Sequence, residues 1–233
     1  MRFDDTHGHL YLGDAVALLR SLPDSCVDLV LTDPPYRVIS GGDKPAPGYG
    51  WRQSVLAAND GKIFKHNDVK FSDYVGELYR VLKAGSHCYI MVNNLNLREL
   101  LNVAADAGFG FHNLLRWDKN TVNANRWYMK DCEYICFFYK KPAKAITNAG
   151  SKQGFACKTL RGGTKVHPTE KPVELMRHYI ENSSKPGDIV LDPFAGSGST
   201  AVAAKLSGRR FITCELDPHY YLTTLGRLTK ITP

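Results

Sequence analysis

The run DIVLDPFAGSGSTAVAAKLSG, residues 188–208, spells a strand, a turn and a helix in sequence. Ile189, Val190 and Leu191 form a short apolar run ending at an acid, Asp192. Gly196 and Gly198 let the backbone turn tightly and approach a ligand, and the helix that opens at Ser199 and Thr200 presents unpaired N–H groups. About twenty residues on, Glu215 ends the next strand, where an acid is placed to take the two hydroxyls of a ribose.

The type of nucleotide follows from what the turn lacks and from the sign of its charge. A phosphate-cradling Walker loop requires GxxxxGK[ST], and GSGST has no lysine. GSGSTA does fit G-x-G-x-x-A, a weak dinucleotide signal, but a carboxylate at the strand tip would repel a pyrophosphate and favour a cationic group. S-adenosylmethionine has that sign, through its ammonium and sulfonium, and carries the ribose for Glu215.

Working outward, apolar strand patterns at 9–13, 27–32, 87–92, 111–117, 133–139, 188–192 and 210–215 alternate with amphipathic helix patterns. This rhythm predicts a doubly wound α/β sheet, mostly parallel and seven-stranded. Helices are predicted over 72–83 and 95–107, the latter with a capping-box-like start from Asn96 and Glu99. Pro172 suits a first helical turn, and further helices follow Gly198 and Asp217–Pro218.

Composition sets the frame. With 233 residues, 43% hydrophobic and 23% charged, the chain suits one globular domain. No apolar run reaches membrane-spanning length and the N-terminus lacks a signal-peptide core, so a cytoplasmic location is expected. Six scattered cysteines, with only a lone CxxxC at Cys132 and Cys136, read as reduced thiols rather than metal ligands. Net charge is +7, and residues 140–165 hold seven Lys or Arg and no acid. That stretch is either a solvated basic loop or a phosphate-contacting surface. The glycine- and proline-containing segment 37–66 is a long irregular loop of the kind that usually has a functional role.

The second informative stretch is LVLTDPPY, residues 29–36. At the carboxyl edge of a strand, Asp33 can accept a hydrogen bond from an NH2 group and the carbonyl of Pro34 can take the second N–H. Pro35 stiffens the turn, and Tyr36 offers a stacking face worth roughly 1–3 kcal/mol. An amine held by two acceptors is drawn out of conjugation with its ring and becomes a nucleophile for a sulfonium methyl.

Together these residues resemble the amino-group DNA methyltransferases. DPPY (33–36) looks like their catalytic motif and DPFAGSGST (192–200) their S-adenosylmethionine motif. HPTEKP (167–172) resembles the segment bordering the methionine pocket, and LGD (12–14) the turn whose acid meets the cofactor adenine. Catalytic motif first and cofactor motif last is the circularly permuted order of the family's β group, on a Rossmann-like methyltransferase fold. The resemblance implies catalytic roles for Asp33, Pro34, Pro35 and Tyr36. It implies cofactor contacts for Asp14, Asp33, Thr169, Lys171, Asp192, Phe194, Gly196, Gly198, Ser199, Thr200 and Glu215, with no metal.

Asp before PPY favours N6 of adenine, with N4 of cytosine the alternative. Attack at cytosine C5 is disfavoured, because the chain has no Pro-Cys pair to supply a thiolate. A silent nucleic-acid-binding protein is the reading from another class. The base would be flipped out of double-stranded DNA. The chain divides into a catalytic half (1–117), a last strand with a small target-recognition insert (118–166) and a cofactor half (167–233). DNA contacts are expected from Arg37, Lys44 and Arg52 in a mobile 37–66 loop, and from Arg126, Lys130, Lys152, Lys158 and Arg161. A homodimer, a companion restriction nuclease and a bacterial or phage source are left open by the resemblance.

Overall fold

The computed structural model describes residues 1–35, 69–123, 128–159 and 170–231. The described residues form nine strands and six helices, opening with β1 (Arg2–Asp5), β2 (Gly8–Leu12), α1 (Ala15–Ser21), β3 (Val27–Thr32), α2 (Phe71–Val81), β4 (Leu82–Val92) and α3 (Leu97–Asp106). After these come β5 (Gly110–Asn123), β6 (Lys130–Tyr139), β7 (Gly154–Ala156), α4 (Val173–Ser183), β8 (Ile189–Asp192), α5 (Ser199–Leu206), β9 (Arg210–Glu215) and α6 (Pro218–Thr229). They form one sheet in the order β1-β2-β9-β8-β3-β4-β6-β5-β7.

The five central strands β2, β9, β8, β3 and β4 run parallel, with one register shift, between Val27 and Leu29 where β3 pairs with β4. Parallel neighbours need crossover helices, and both faces of such a sheet become buried. Alternation along the strands divides the core accordingly. Leu29, Leu31, Tyr89, Met91 and Val190 pack under α4, α5 and α6, while Val30, Cys88, Ile90, Val92 and Leu191 pack under α1, α2 and α3. The chain leaves β3 through α2 toward β4 on one side, and β8 through α5 toward β9 on the other. The crevice between β3 and β8 is therefore the point where strand order reverses, the usual ligand position in an open α/β sheet.

All seven expected strands are present, and two edge strands were missed. β1 is four residues of mixed polarity (RFDD) and β7 only three, too short for a period to show. The helix predicted over 72–83 stops at Val81, because Leu82 already belongs to β4. Residues 118–123, assigned to the insert from sequence, continue β5, so the strand predicted to end at 117 runs on. Asn96 makes no side-chain cap. It lies in the αR region, and the N–H groups of Leu95 and Asn96 are taken by Asn93 Oδ1 instead. The cysteines are free thiols, four of them buried. No helix among the described residues is long and apolar enough to cross a membrane.

Candidate active site

Because β2, β9, β8, β3 and β4 are parallel, their carboxyl ends open on a single edge, and the polar residues singled out in the sequence meet there. Asp33 follows β3 and Asp192 ends the adjacent β8. A cleft of ≈ 380 Å³, counting its open mouth, lies between them, lined by both acids together with Lys171, Phe194, Gly196, Ser199 and Thr200.

The glycine turn needs its glycines. Gly196 (φ 54°) and Gly198 (φ 79°) are in the left-handed region, and a Cβ on Gly198 would sit 2.5 Å from Cγ2 of Thr224, which is fully buried. Thr224 Oγ1 in turn donates to the Gly196 carbonyl at 3.1 Å. From α6, Arg227 Nη1 donates to the Ser197 carbonyl at 2.7 Å and pairs with Glu170 Oε1 at 2.9 Å. The C-terminal helix thus ties the turn to the segment that precedes α4.

Asp192 is buried, accepting from Thr32 Oγ1 at 2.7 Å and from the Phe194 N–H at 3.1 Å. Burial pushes its carboxyl up to about 6, against the pull of those hydrogen bonds and that of the Thr200 hydroxyl, with Asp33 adding to the rise. Such a group gains from a cation placed beside it. Glu215 accepts the Gly196 N–H at 2.7 Å on Oε2 and the Asp217 N–H at 2.9 Å on Oε1. With the Leu216 N–H also bonded to this carboxylate, an acceptor site is still left for a hydroxyl. Burial raises its carboxyl as well. Asp14 caps α1 through Oδ1, which accepts the Ala17 N–H at 2.8 Å.

The acid after β3 is engaged. Lys171 Nζ donates to Asp33 Oδ2 and lies 3.6 Å from Glu133 Oε2 on β6. Burial pushes the Asp33 carboxyl up, the Lys171 ammonium pulls it back and Glu133 adds to the rise. Phe194 is fixed edge-on to Tyr74, with ring centroids 5.0 Å apart.

Comparisons with known proteins agree with this geometry. Residues 27–225 match the model of a DNA methylase family whose acceptors are N6 and N4 amines. The chain belongs to the DNA methylase family. Among curated relatives of this methylase, the YubD protein of Escherichia coli (strain K12) is 33% identical over 94% of this chain and 89% of its own length. The DNA adenine methyltransferase YhdJ of the same organism is 29% identical over 97% of this chain and 84% of its own. Among solved structures, the cytosine-N4-specific PvuII DNA methyltransferase superposes with a TM-score of 0.72 at 19% identity, covering 97% of this chain and 89% of that one. The M1.HpyAVI–SAM complex gives 0.69 at 24% identity, covering 94% and 98%. Fold and family are those of the amino-group DNA methyltransferases.

The methylase brings Asp33, Pro34, Lys171, Asp192, Phe194, Gly196, Gly198, Ser199, Thr200 and Glu215 to one edge, with Pro35 beside Asp33 and Asp14 beside Glu215 through a Gly13 N–H to Glu215 carbonyl bond of 2.9 Å. Lys130, Lys152 and Lys158 are exposed, at the start of β6 and on either side of β7. Tyr36, Arg37, Lys44, Arg52, Arg126, Arg161 and Thr169 lie outside the described residues, as does the 37–66 loop. Sequence reasoning missed Thr32, Glu133, Glu170 and Arg227. Only Thr32 left a signal, as the one hydroxyl in the apolar run LVLT directly before the acid.

The donor set fits S-adenosylmethionine. A buried carboxylate, a left-handed glycine turn that admits no side chain and a strand-end acid with an open acceptor site match a cation, a close backbone approach and a ribose respectively.

Proposed function

We propose that this methylase transfers a methyl group from S-adenosylmethionine to N6 of an adenine flipped out of double-stranded DNA. The observation that carries the reading is the convergence of Asp33 and the Gly196–Gly198 turn on one cleft. Asp before PPY and the adenine specificity named for YhdJ support N6. The cofactor complex of M1.HpyAVI supports the methyl donor.

Bound in the cleft, S-adenosylmethionine supplies a methyl on a cationic sulfur. Asp192 would lie beside positive charge, Glu215 would take the ribose hydroxyls, and Asp14 the adenine amine. Ser199 and Thr200, at the start of α5, would hold the carboxylate, with Lys171 and Thr169 bordering the methionine pocket. Across the cleft, Asp33 and the Pro34 carbonyl accept the two N–H groups of the target amine, while Pro35 stiffens the turn and Tyr36 stacks on the ring. This arrangement aims the nitrogen lone pair outward. As positive charge builds on that nitrogen, the Asp33 carboxylate stabilises it and is placed to take the surplus proton.

The 37–66 loop, with Arg37, Lys44 and Arg52, would close over the flipped nucleotide. The 118–166 segment, with Arg126, Lys130, Lys152, Lys158 and Arg161, would contact the duplex. The order of motifs supports membership of the permuted β group, and the enzyme would work in the cytoplasm.

The test is to incubate the protein with unmethylated DNA and methyl-labelled cofactor, digest to nucleosides and identify the labelled one. Label in N6-methyladenosine is expected. Label in N4-methylcytidine would move the enzyme to the PvuII-like specificity, and DNA binding without transfer would make it a silent binder.

A further inference from the structure

Four charged side chains from four separate segments form one line beside the cleft: Asp33 after β3, Lys171 before α4, Glu133 on β6 and Lys119 on β5. Lys171 donates to Asp33 Oδ2 and lies 3.6 Å from Glu133 Oε2, while Lys119 pairs with Oε1 of the same carboxylate. The Lys171 side chain is 8% exposed and that of Lys119 15%, so solvent screens neither cation well. The signs alternate along the line and the formal charges cancel.

An incoming amine would share the Asp33 carboxylate with Lys171, which already donates to Oδ2, so each donor weakens the hold of the other. A buried ammonium cannot simply be released, because an uncompensated charge in such a place is costly. Glu133 lies within reach of the same ammonium, and Lys119 fixes it from the far side. We propose that Glu133 is a positioning residue that receives the Lys171 ammonium when the substrate amine engages Asp33. This inference rests on the reading of Asp33 as the amine acceptor.

Among the described residues, the ionisable groups facing Asp33 are Lys171, Glu133 and Lys119, together with Asp192 on β8 and the Tyr74 phenol on α2. Burial alone would raise the Glu133 carboxyl, but Lys171 and Lys119 outweigh it and hold it below the usual range. Removing the charge of Glu133 or that of Lys119 therefore perturbs Asp33 in opposite directions. Glu133→Gln keeps the shape and removes the carboxylate that competes with Asp33 for Lys171, so Asp33 titrates at lower pH yet is less available to the amine. Lys119→Gln strengthens the hold of Glu133 on Lys171, so Asp33 titrates at higher pH. A residue that merely supports the fold would move neither midpoint, and the plateau rate separates positioning from the through-space field of the two charges.

The experiment uses protein labelled with 13C-aspartate, with the Asp33 carboxyl resonance assigned by its loss in Asp33→Asn, titrated without DNA or cofactor. The pH profile of kcat/KM on unmethylated DNA runs in parallel. The resonance midpoint and the acid limb should both move down by about half a pH unit or more in Glu133→Gln, and up in Lys119→Gln. The plateau kcat should fall about tenfold in Glu133→Gln and recover in Glu133→Asp. Midpoints unchanged in both variants, or a wild-type plateau rate in Glu133→Gln, would overturn the proposal. Should Glu133→Gln not fold, the direction of the Lys119→Gln shift decides. Absence of transfer by the wild-type protein, with the shifts intact, would overturn the reading of Asp33 itself and separates that failure from this one.

Discussion

Replacing Asp33 by alanine should lower methyl transfer by about three orders of magnitude while changing cofactor affinity by less than about threefold. Asp33 sits on the β3 side of the cleft, whereas Asp192, Phe194 and the glycine turn belong to β8 and α5, and Glu215 to β9. The two groups share a cavity but hang from different strands. Removing the carboxylate takes away the acceptor for the amine and its stabilisation of growing positive charge, and leaves the cofactor-side hydrogen bonds in place. Lys171 retains Glu133 at 3.6 Å, so the ammonium is not stranded. Single-turnover transfer and calorimetric cofactor binding, measured on one preparation, check this. Parallel loss of binding and transfer would mean that the two sites have been misplaced.

The second large effect is expected at the glycine turn. Gly198→Val forces a β-branched residue to φ 79° and drives its Cβ to within 2.5 Å of Thr224 Cγ2 and 2.9 Å of Oγ1. Thr224 is fully buried and donates to the Gly196 carbonyl, so it cannot yield without opening the turn. Left-handed strain of about 1–2 kcal/mol and overpacking of about 1–3 kcal/mol add to roughly 2–5 kcal/mol of lost stability. Cofactor binding should fall beyond detection, because the same backbone forms the floor of the cleft. Gly187→Ala is the control: its φ is 87° but a Cβ there meets nothing within 4 Å, so about 1 kcal/mol and unchanged binding are expected. Thermal melts and cofactor titration of the two variants separate strain from collision. Equal effects at Gly187 and Gly198 would refute the role of the contact with Thr224.

Much of this architecture is legible because its signals are local. The parallel strands carry near-continuous apolar runs, as in VDLVLT and RFITCE, and each candidate acid stands where such a run stops. A residue at a strand end is on the binding edge by topology alone, which is why Asp33, Asp192 and Glu215 could be brought together without coordinates. What escaped depends on partners far along the chain. Glu133 lies in DCEYICFFY, where alternation marks only which face it occupies, and its link to Lys171 spans an unrelated segment. Arg227 in the last helix reads as an ordinary basic residue near a helix end, yet it holds Ser197 and Glu170. The missed strand β1 is stabilised by a contact no periodicity reveals, the buried pairing of Asp5 with Lys205 of α5 at 2.6 Å. The capping box assigned to Asn96 and Glu99 failed because Asn93, three residues earlier, takes the Asn96 N–H that Glu99 would have to accept and also holds the Asn96 side-chain amide.

The most direct test of the central claim is a crystal structure of the protein bound to its DNA substrate and an unreactive cofactor analogue. An extrahelical adenine with its exocyclic nitrogen within about 3.2 Å of an Asp33 oxygen, facing the glycine turn, is the expected result. A target base still stacked in the duplex, or an amine out of reach of Asp33 while the analogue fills the cleft, would contradict it.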